Sequence, residues 1–393
     1  MNVEAIPARR AYAGPLLALV PLALLGVLVW LFLATDPLAP LGVAAPPVEE
    51  LTVERTSLDA DGIHLRVRAD GSEPVRIAQV QVDGAYWTFA QDPPGPLGRL
   101  EVAEVSLPYP WVEGETHVVT LLTSTGLAFT HEIAVAVPTP SFTLGRLLAY
   151  ALLGVYVGIV PVSLGLLFYP ALRSLGERGM RFLLALTIGL LAFLLVDTLQ
   201  EGLELAAGAA GAFQGGLLVW LSAALAFLAL LAVGRRRGRP EGLALAGFLA
   251  LGIGLHNLGE GLAIGAALAS GAVALGSFLV VGFTLHNVTE GIGIAGVMSR
   301  HRPTLARFAG LAAIAGLPAV LGTWFGAFAF APQWAALFLG LGAGAILQVI
   351  VEVGAHLASQ ARRHSGGWLS GTTLAGFAAG LAVMYLTAML VGV

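Results

Sequence analysis

The chain contains no cysteine and no lysine, so all 20 of its Lys/Arg positions are arginine. Without cysteine there are no disulfides, no thiolate metal ligands and no cysteine nucleophile. Charge is scarce too, at 11% of 393 residues, against roughly 25% in an ordinary soluble domain. A net charge of −4 is too small to imply a highly charged partner, and nucleic acid is excluded. What is abundant is apolar: 57% of side chains are hydrophobic and the mean hydropathy is +0.84. The 51 glycines suit close helix packing in lipid. The composition is that of a membrane protein whose first partner is the lipid bilayer.

Residues 48–137 hold 19 of the 44 charged residues, so a polar domain is set into an apolar chain. Three regions follow. Residues 1–47 carry an apolar run from about Pro15 to Thr35, preceded by Arg9 and Arg10 and long enough to cross a bilayer core of ~30 Å. The expectation is a retained anchor; a cleaved signal peptide, with Gly-Val-Ala at 42–44 as its cleavage site, is the alternative. Residues 48–137 alternate in strand fashion, Ile63, Leu65 and Val67 interleaving with His64, Arg66 and Arg68, and Val80 and Val82 with Gln79, Gln81 and Asp83. Further strand-like runs are Tyr86–Phe89, Leu100–Leu107, His117–Leu122 and Ala128–Val137, separated by turn signals such as Asp61-Gly62 and Asp83-Gly84. About seven short strands point to an immunoglobulin-like β-sandwich, with a small barrel left open. Its histidines, His64, His117 and His131, lack metal-ligand spacing and read as surface residues.

Residues 138–393 contain eight further apolar segments, roughly 144–170, 181–207, 215–233, 242–269, 272–299, 307–330, 333–358 and 369–392. The fold class is therefore an α-helical membrane bundle with one added N-terminal span and an all-β sandwich. Arginines cluster before the anchor and in alternate connections (Arg173, Arg178, Arg181; Arg235, Arg236, Arg237, Arg239; Arg300, Arg302, Arg307; Arg362, Arg363), with Arg146 the exception. The connections near 208–214, 269–271 and 331–333 have none. By the positive-inside rule the N-terminus is cytoplasmic, and the β-domain and C-terminus lie outside the cytoplasmic membrane.

Six acids fall inside apolar spans, namely Asp197, Glu201, Glu204, Glu260, Glu290 and Glu352, and no arginine does. Ionisable residues at membrane depth are costly and mark ion pathways. These acids call for a cation, although protons alone would also neutralise them. The sharper signal is a repeat: Leu255-His256-Asn257-Leu258-Gly259-Glu260-Gly261 recurs as Leu285-His286-Asn287-Val288-Thr289-Glu290-Gly291, in a chain with only three asparagines. At ~100° per residue, His and Glu four apart share one helix face. The two helices run antiparallel through a short connection, so both motifs meet near the bilayer midplane. His256, Asn257, Glu260, His286, Asn287 and Glu290 form a ligand set for a divalent ion such as Zn²⁺, Fe²⁺ or Mn²⁺. The alternative is a hydrogen-bond network that holds helices together. Asp197, Glu201 and Glu204 form an i, i+4, i+7 stripe in the outer half of the second segment, and Gln348, Glu352 and His356 an i, i+4, i+8 stripe running inward in the seventh. Together they sketch a path through the membrane, with Glu204 and His356 equally readable as interfacial residues reaching water.

These motifs resemble those of the ZIP (Zrt/Irt-like) family of divalent metal transporters, especially its bacterial zinc-permease branch, whose fourth and fifth helices carry HNxPEG-type motifs. The resemblance covers roughly residues 144–393, with Leu195–Glu201 matching the acidic second-helix motif and Gly344–Leu347 through Glu352 the seventh-helix motif. It implies an eight-helix bundle of inverted repeats, a central metal site and alternating access that brings metal into the cytoplasm. Zinc is the expected cargo, with iron, manganese or cadmium as other candidates, and no further cofactor. A homodimer is left open. The motif proline is replaced by Gly259 and Thr289, the loop Gly234–Glu241 is short and lacks His, and Ala319 stands where many members carry a sixth-helix glutamate. The last change implies one central ion rather than two. A membrane-embedded zinc hydrolase and a metal sensor remain as alternatives, the first without an HExxH motif to support it.

Overall fold

The computed structural model describes residues 13–35, 48–236, 238, 240–363 and 369–391. Arg9, Arg10, Arg237, Arg239 and the 42–44 cleavage signal lie outside the described residues. Two compact units are present, Met1–Val48 and Glu49–Val393. In the first, α1 (Ala13–Thr35) is an apolar helix with Pro21 in its interior.

The second unit begins with eight strands: β1 (Leu51–Asp59), β2 (Gly62–Ala69), β3 (Ile77–Val82), β4 (Ala85–Trp87), β5 (Ala90–Asp92), β6 (Val102–Leu107), β7 (His117–Thr123) and β8 (Ala128–Ile133). They form two antiparallel sheets, β1-β2-β6-β5 and β4-β3-β7-β8. This is the constant-type immunoglobulin order with one more edge strand. Alternation in the sequence maps onto the pleat: Ile63, Leu65, Val67, Val80, Val105, Val119 and Leu121 are fully enclosed between the sheets. The expected strand Tyr86–Phe89 is in fact the crossover between sheets, β4 belonging to one and β5 to the other. Trp87 and Phe89 both pack on the shared core. Their equal parity hides the switch from a period-two reading.

The domain's histidines are not simply surface residues. His117 is buried, its Nδ1 2.8 Å from Asp83 Oδ2, and the same carboxylate accepts from Tyr109 Oη and Val118 N. Burial alone would raise Asp83, but these donors hold its carboxyl below the usual range. His64 bonds Ser106 and Asp59, and His131 bonds Thr56 Oγ1.

Eight helical spans follow, each long and apolar enough to cross a membrane. The first comprises α2 (Leu144–Gly154), a π-helical turn (Val155–Ile159), α3 (Val160–Leu166) and α4 (Tyr169–Arg173). The others are α5 (Glu177–Ala206), α6 (Gly215–Arg235), α7 (Gly242–Ala269), α8 (Val273–Val297), α9 (Leu305–Ala329), α10 (Pro332–Arg363) and α11 (Gly371–Val391). The first, fourth, fifth and sixth spans pack together, as do the second, third, seventh and eighth, and α10 against α7 is the main seam between the groups. Exchanging first with sixth, second with seventh, third with eighth and fourth with fifth carries the main helix pairings onto one another.

Glycine sets the closest of these contacts. Gly261 and Gly265 on α7 face Gly322 and Gly326 on α9, four residues apart on each helix. A methyl group at Gly261 would come within 2.2 Å of Ala319 O, and one at Gly326 within 2.1 Å of Leu262 O. This reciprocal small-xxx-small face lets the backbones touch. It seats the α7 motif, since Gly261 directly follows Glu260.

The three arginine-free connections all lie against the β-domain. Asp70 accepts from the backbone N–H groups of Gly211 and Ala212, and the Arg68 guanidinium sits over the Phe213 ring. Gly271 packs on Val137, and Gln333 Nε2 donates to Glu54 Oε1 at 3.3 Å. At the opposite end the arginine-bearing connections meet one another. Tyr169 Oη donates to His301 O, Arg173 lies over the Tyr169 ring, and the His301 ring packs on Gly242.

Candidate metal centre

Both motifs sit mid-helix, as the spacing requires. On α7, His256 Nε2 lies 2.7 Å from Glu260 Oε1, one turn further along. From α8, His286 Nε2 bonds the same oxygen, and the two imidazole centroids are 6.0 Å apart. Ligand atoms of His256, Glu260 and His286 lie within 4.8 Å of one another, and all three side chains are buried. With metal–nitrogen bonds of ~2.0–2.1 Å, donors this close fit the shell of one ion. The other nitrogen of His256, Nδ1, lies 3.3 Å from Thr198 Oγ1, which orients the ring from α5.

The two motif asparagines are held in equivalent ways. Asn257 Nδ2 donates to Ala315 O on α9 at 3.0 Å, and Asn287 Nδ2 donates to Val157 O in the π turn at 2.9 Å. The second acceptor has a covalent cause. Pro161 has no N–H to give to the carbonyl four residues back, which is that of Val157. With each Nδ2 committed to a carbonyl, each Oδ1 is turned the other way, and both Oδ1 atoms are buried without a hydrogen-bond partner among the described residues. Asn287 Nδ2 also approaches Glu260 Oε2 at 3.3 Å, which ties it to the cluster.

Glu290 carries the strongest signal. Its side chain is buried, and neither oxygen has a hydrogen-bond partner among the described residues. A carboxylate left alone at that depth is costly unless a cation or a proton meets it. Its ligand atoms fall outside the tight His256/Glu260/His286 group. The candidate centre therefore comprises three converged side chains, with two buried amide oxygens and one further buried carboxylate on the same two helices.

The outlying candidates divide. Asp197, Glu201 and Glu204 on α5 line a single cavity at the β-domain end of the bundle. Gln348 is fully buried, with its amide unpartnered among the described residues. Glu352 departs from expectation: Arg235 Nε lies 3.0 Å from its Oε1, so this acid is ion-paired. The cause is that α6 continues to Arg235, past the end expected near residue 233, and brings the guanidinium alongside α10. His356 is half-buried near the C-terminal end of α10. Ala319 is fully buried, and its Cβ would lie 2.8 Å from a methyl group placed on Gly158.

Three contributors escape a motif reading. Thr198 is adjacent to Asp197 but on the buried face of α5, where its phase with Leu191 and Leu194 was the available sign. Val157 acts through its carbonyl, which no side-chain pattern reports, although Pro161 four residues on does. Arg235 looks like one more loop arginine. No family model matches the chain, and no curated protein matches it.

Proposed function

We propose that the protein is a ZIP-like carrier of divalent metal ions, with Zn²⁺ as the leading cargo, and that it is not an enzyme. The observation that carries this reading is the duplicated His-Asn-x-x-Glu-Gly segment. Its two copies, on antiparallel helices, bring two imidazoles and a carboxylate together deep in the bundle, beside the unpartnered carboxylate of Glu290. A site at mid-helix between repeats is the arrangement of secondary transporters generally. Two groups of four helices, joined mainly where α10 meets α7, provide the bodies whose relative movement would expose that site to either side. The arginine bias supports a direction: the β-domain end is extracytoplasmic, the arginine-bearing end faces the cytoplasm, and metal moves inward across the cytoplasmic membrane.

The test is flux. Purified protein in liposomes should take up Zn²⁺ saturably, and the His256→Ala/His286→Ala variant should not. A membrane-embedded zinc hydrolase or a metal sensor would bind the ion at the same residues without moving it, so stoichiometric binding with no flux would sink the transport reading.

A further inference from the structure

An open cavity of about 760 Å³ lies between the β-sandwich and the bundle. Over a third of its lining residues come from the polar domain, from β1 around Glu54 and Arg55 and from β8 and its tail, His131 to Val135. The rest come from α5 and from the ends of α7, α8, α9 and α10 nearest the β-domain. At ~30 Å³ per water, a divalent ion with six waters fills roughly a quarter of the space.

The lining is graded. Glu132 belongs to the β-domain wall; Glu204, Glu201 and Asp197 follow one another down α5, away from the β-domain. Arg55 is the arginine in the lining, and its Nη1 is drawn onto Phe328 O at 2.8 Å. Glu54 is already neutralised by Arg68, at 2.6 Å. Outside the Arg68–Glu54 pair the acids Glu132, Asp197, Glu201 and Glu204 outnumber Arg55, and a recess of mainly acidic lining walled by low-dielectric protein favours cations. Phe283 also lines the cavity, and its ring meets the His286 ring at a centroid distance of 5.3 Å. Phe283 therefore touches both the cavity and the candidate metal centre.

We infer that this cavity is the vestibule through which divalent cations reach the central His/Glu cluster, and that the β-domain is a wall of the ion route rather than an appendage to it. The inference rests on the metal-carrier reading and adds to it the part played by residues 48–137. The domain is fixed over the opening through Asp70 on Gly211 and Ala212, Glu54 on Gln333 and Arg55 on Phe328. An ion approaching from that side thus enters between protein surfaces that belong to both parts of the chain.

The natural absence of cysteine makes the test direct. Single cysteines are placed at Ala134 and Val135, both exposed and in the cavity wall, and at Ala85, exposed on β4 and outside it. Each full-length variant is reconstituted in liposomes and labelled with a bulky, membrane-impermeant methanethiosulfonate. Labelling Ala134→Cys or Val135→Cys should slow initial Zn²⁺ uptake at least fivefold, while labelling Ala85→Cys should leave it within twofold. Stoichiometric labelling at both wall positions with uptake unchanged overturns the inference. Co²⁺ association with the same proteins in nanodiscs, followed by stopped-flow absorbance, separates the two readings. If unlabelled protein moves no metal yet the wall labels still slow Co²⁺ arrival, transport fails and the vestibule stands; if arrival is unaffected, the vestibule fails on its own.

Discussion

Asn287 donates its amide to the carbonyl of Val157, an oxygen that Pro161, four residues on and without an N–H, does not engage. A proline in one helix thereby sets the orientation of a candidate ligand on another, and turns Asn287 Oδ1 away from the bonded carbonyl. Pro161→Ala restores a competing donor. Cd²⁺ affinity measured by calorimetry should fall about 2- to 10-fold, the worth of one ordinary hydrogen bond of ~0.5–1.5 kcal/mol. Asn287→Ala removes the ligand and its tether together and should cost more, about 10- to 100-fold. Equal affinity in Pro161→Ala and the parent would show that the π turn is indifferent to the site.

The converged cluster predicts a pH dependence of known sign. Protons compete with a metal ion for imidazole nitrogens, so metal binding at a His-containing site weakens on acidification. Uptake at sub-saturating Zn²⁺ should fall from pH 7.5 to pH 5.5. Replacing any one of His256, His286 and Glu260 by Ala should remove saturable uptake with membrane insertion intact. A Glu260→Ala protein with parental uptake would contradict the ligand assignment.

Much of this was legible before any coordinates. Period-two alternation located β2, β3 and β7, and hydropathy located the eight spans because each is a long apolar run. The paired motifs located the buried His256/Glu260/His286 cluster because His and Glu four apart on a helix share a face. Legibility ended where tertiary structure acts through backbone or through helix phase. The sheet switch between Trp87 and Phe89 leaves the parity unchanged. Thr198 is chosen over its neighbour Asp197 by rotation of α5 alone. Arg235 reaches Glu352 because α6 runs two residues further than its apolar stretch, and charge patterning read that guanidinium as a loop residue.

That ion pair supports a structural role for Glu352. Its carboxylate is buried, whereas the Arg235 side chain is 37% exposed, so removal of the arginine strands the acid. Arg235→Ala should lower the thermal midpoint, and Glu352→Gln in that background should recover most of the loss. Glu352→Gln alone should retain uptake within about threefold, since a neutral amide can still meet Arg235 at a hydrogen bond's worth of ~1 kcal/mol. Loss of transport in Glu352→Gln with unchanged stability would return the residue to the pathway.

The arginine asymmetry and the β-domain contacts make a joint prediction about sidedness. Ser270 lies in an arginine-free connection and Thr304 in an arginine-bearing one, and both are exposed. Ser270→Cys in intact cells should react with an impermeant maleimide, while Thr304→Cys should react only after permeabilisation. The opposite pattern would invert the direction of transport and place the vestibule in the cytoplasm.

The charge and packing around Ala319 bear on how many ions the centre holds. Glu260 and Glu290 supply two negative charges, enough for one divalent ion, and the histidines and asparagines that complete the set are neutral ligands. A second divalent ion would bring two uncompensated charges into a low-dielectric interior. The family resemblance implies that a glutamate at position 319 would admit that ion. The packing argues otherwise: Ala319 is fully buried, its Cβ faces Gly158 and its carbonyl abuts Gly261, where even a methyl group would come within 2.2 Å. Ala319→Glu therefore combines overpacking, at ~1–3 kcal/mol, with another buried carboxylate. Anomalous scattering from Cd²⁺-soaked crystals should show one central ion per chain in the parent. The Ala319→Glu variant should melt lower and still bind one. Two well-occupied central ions in the parent, ~3.5–4 Å apart as in two-metal sites, would mean that a further acid reaches the centre. Asp197, within electrostatic range of both His256 and His286, would then be the first to examine.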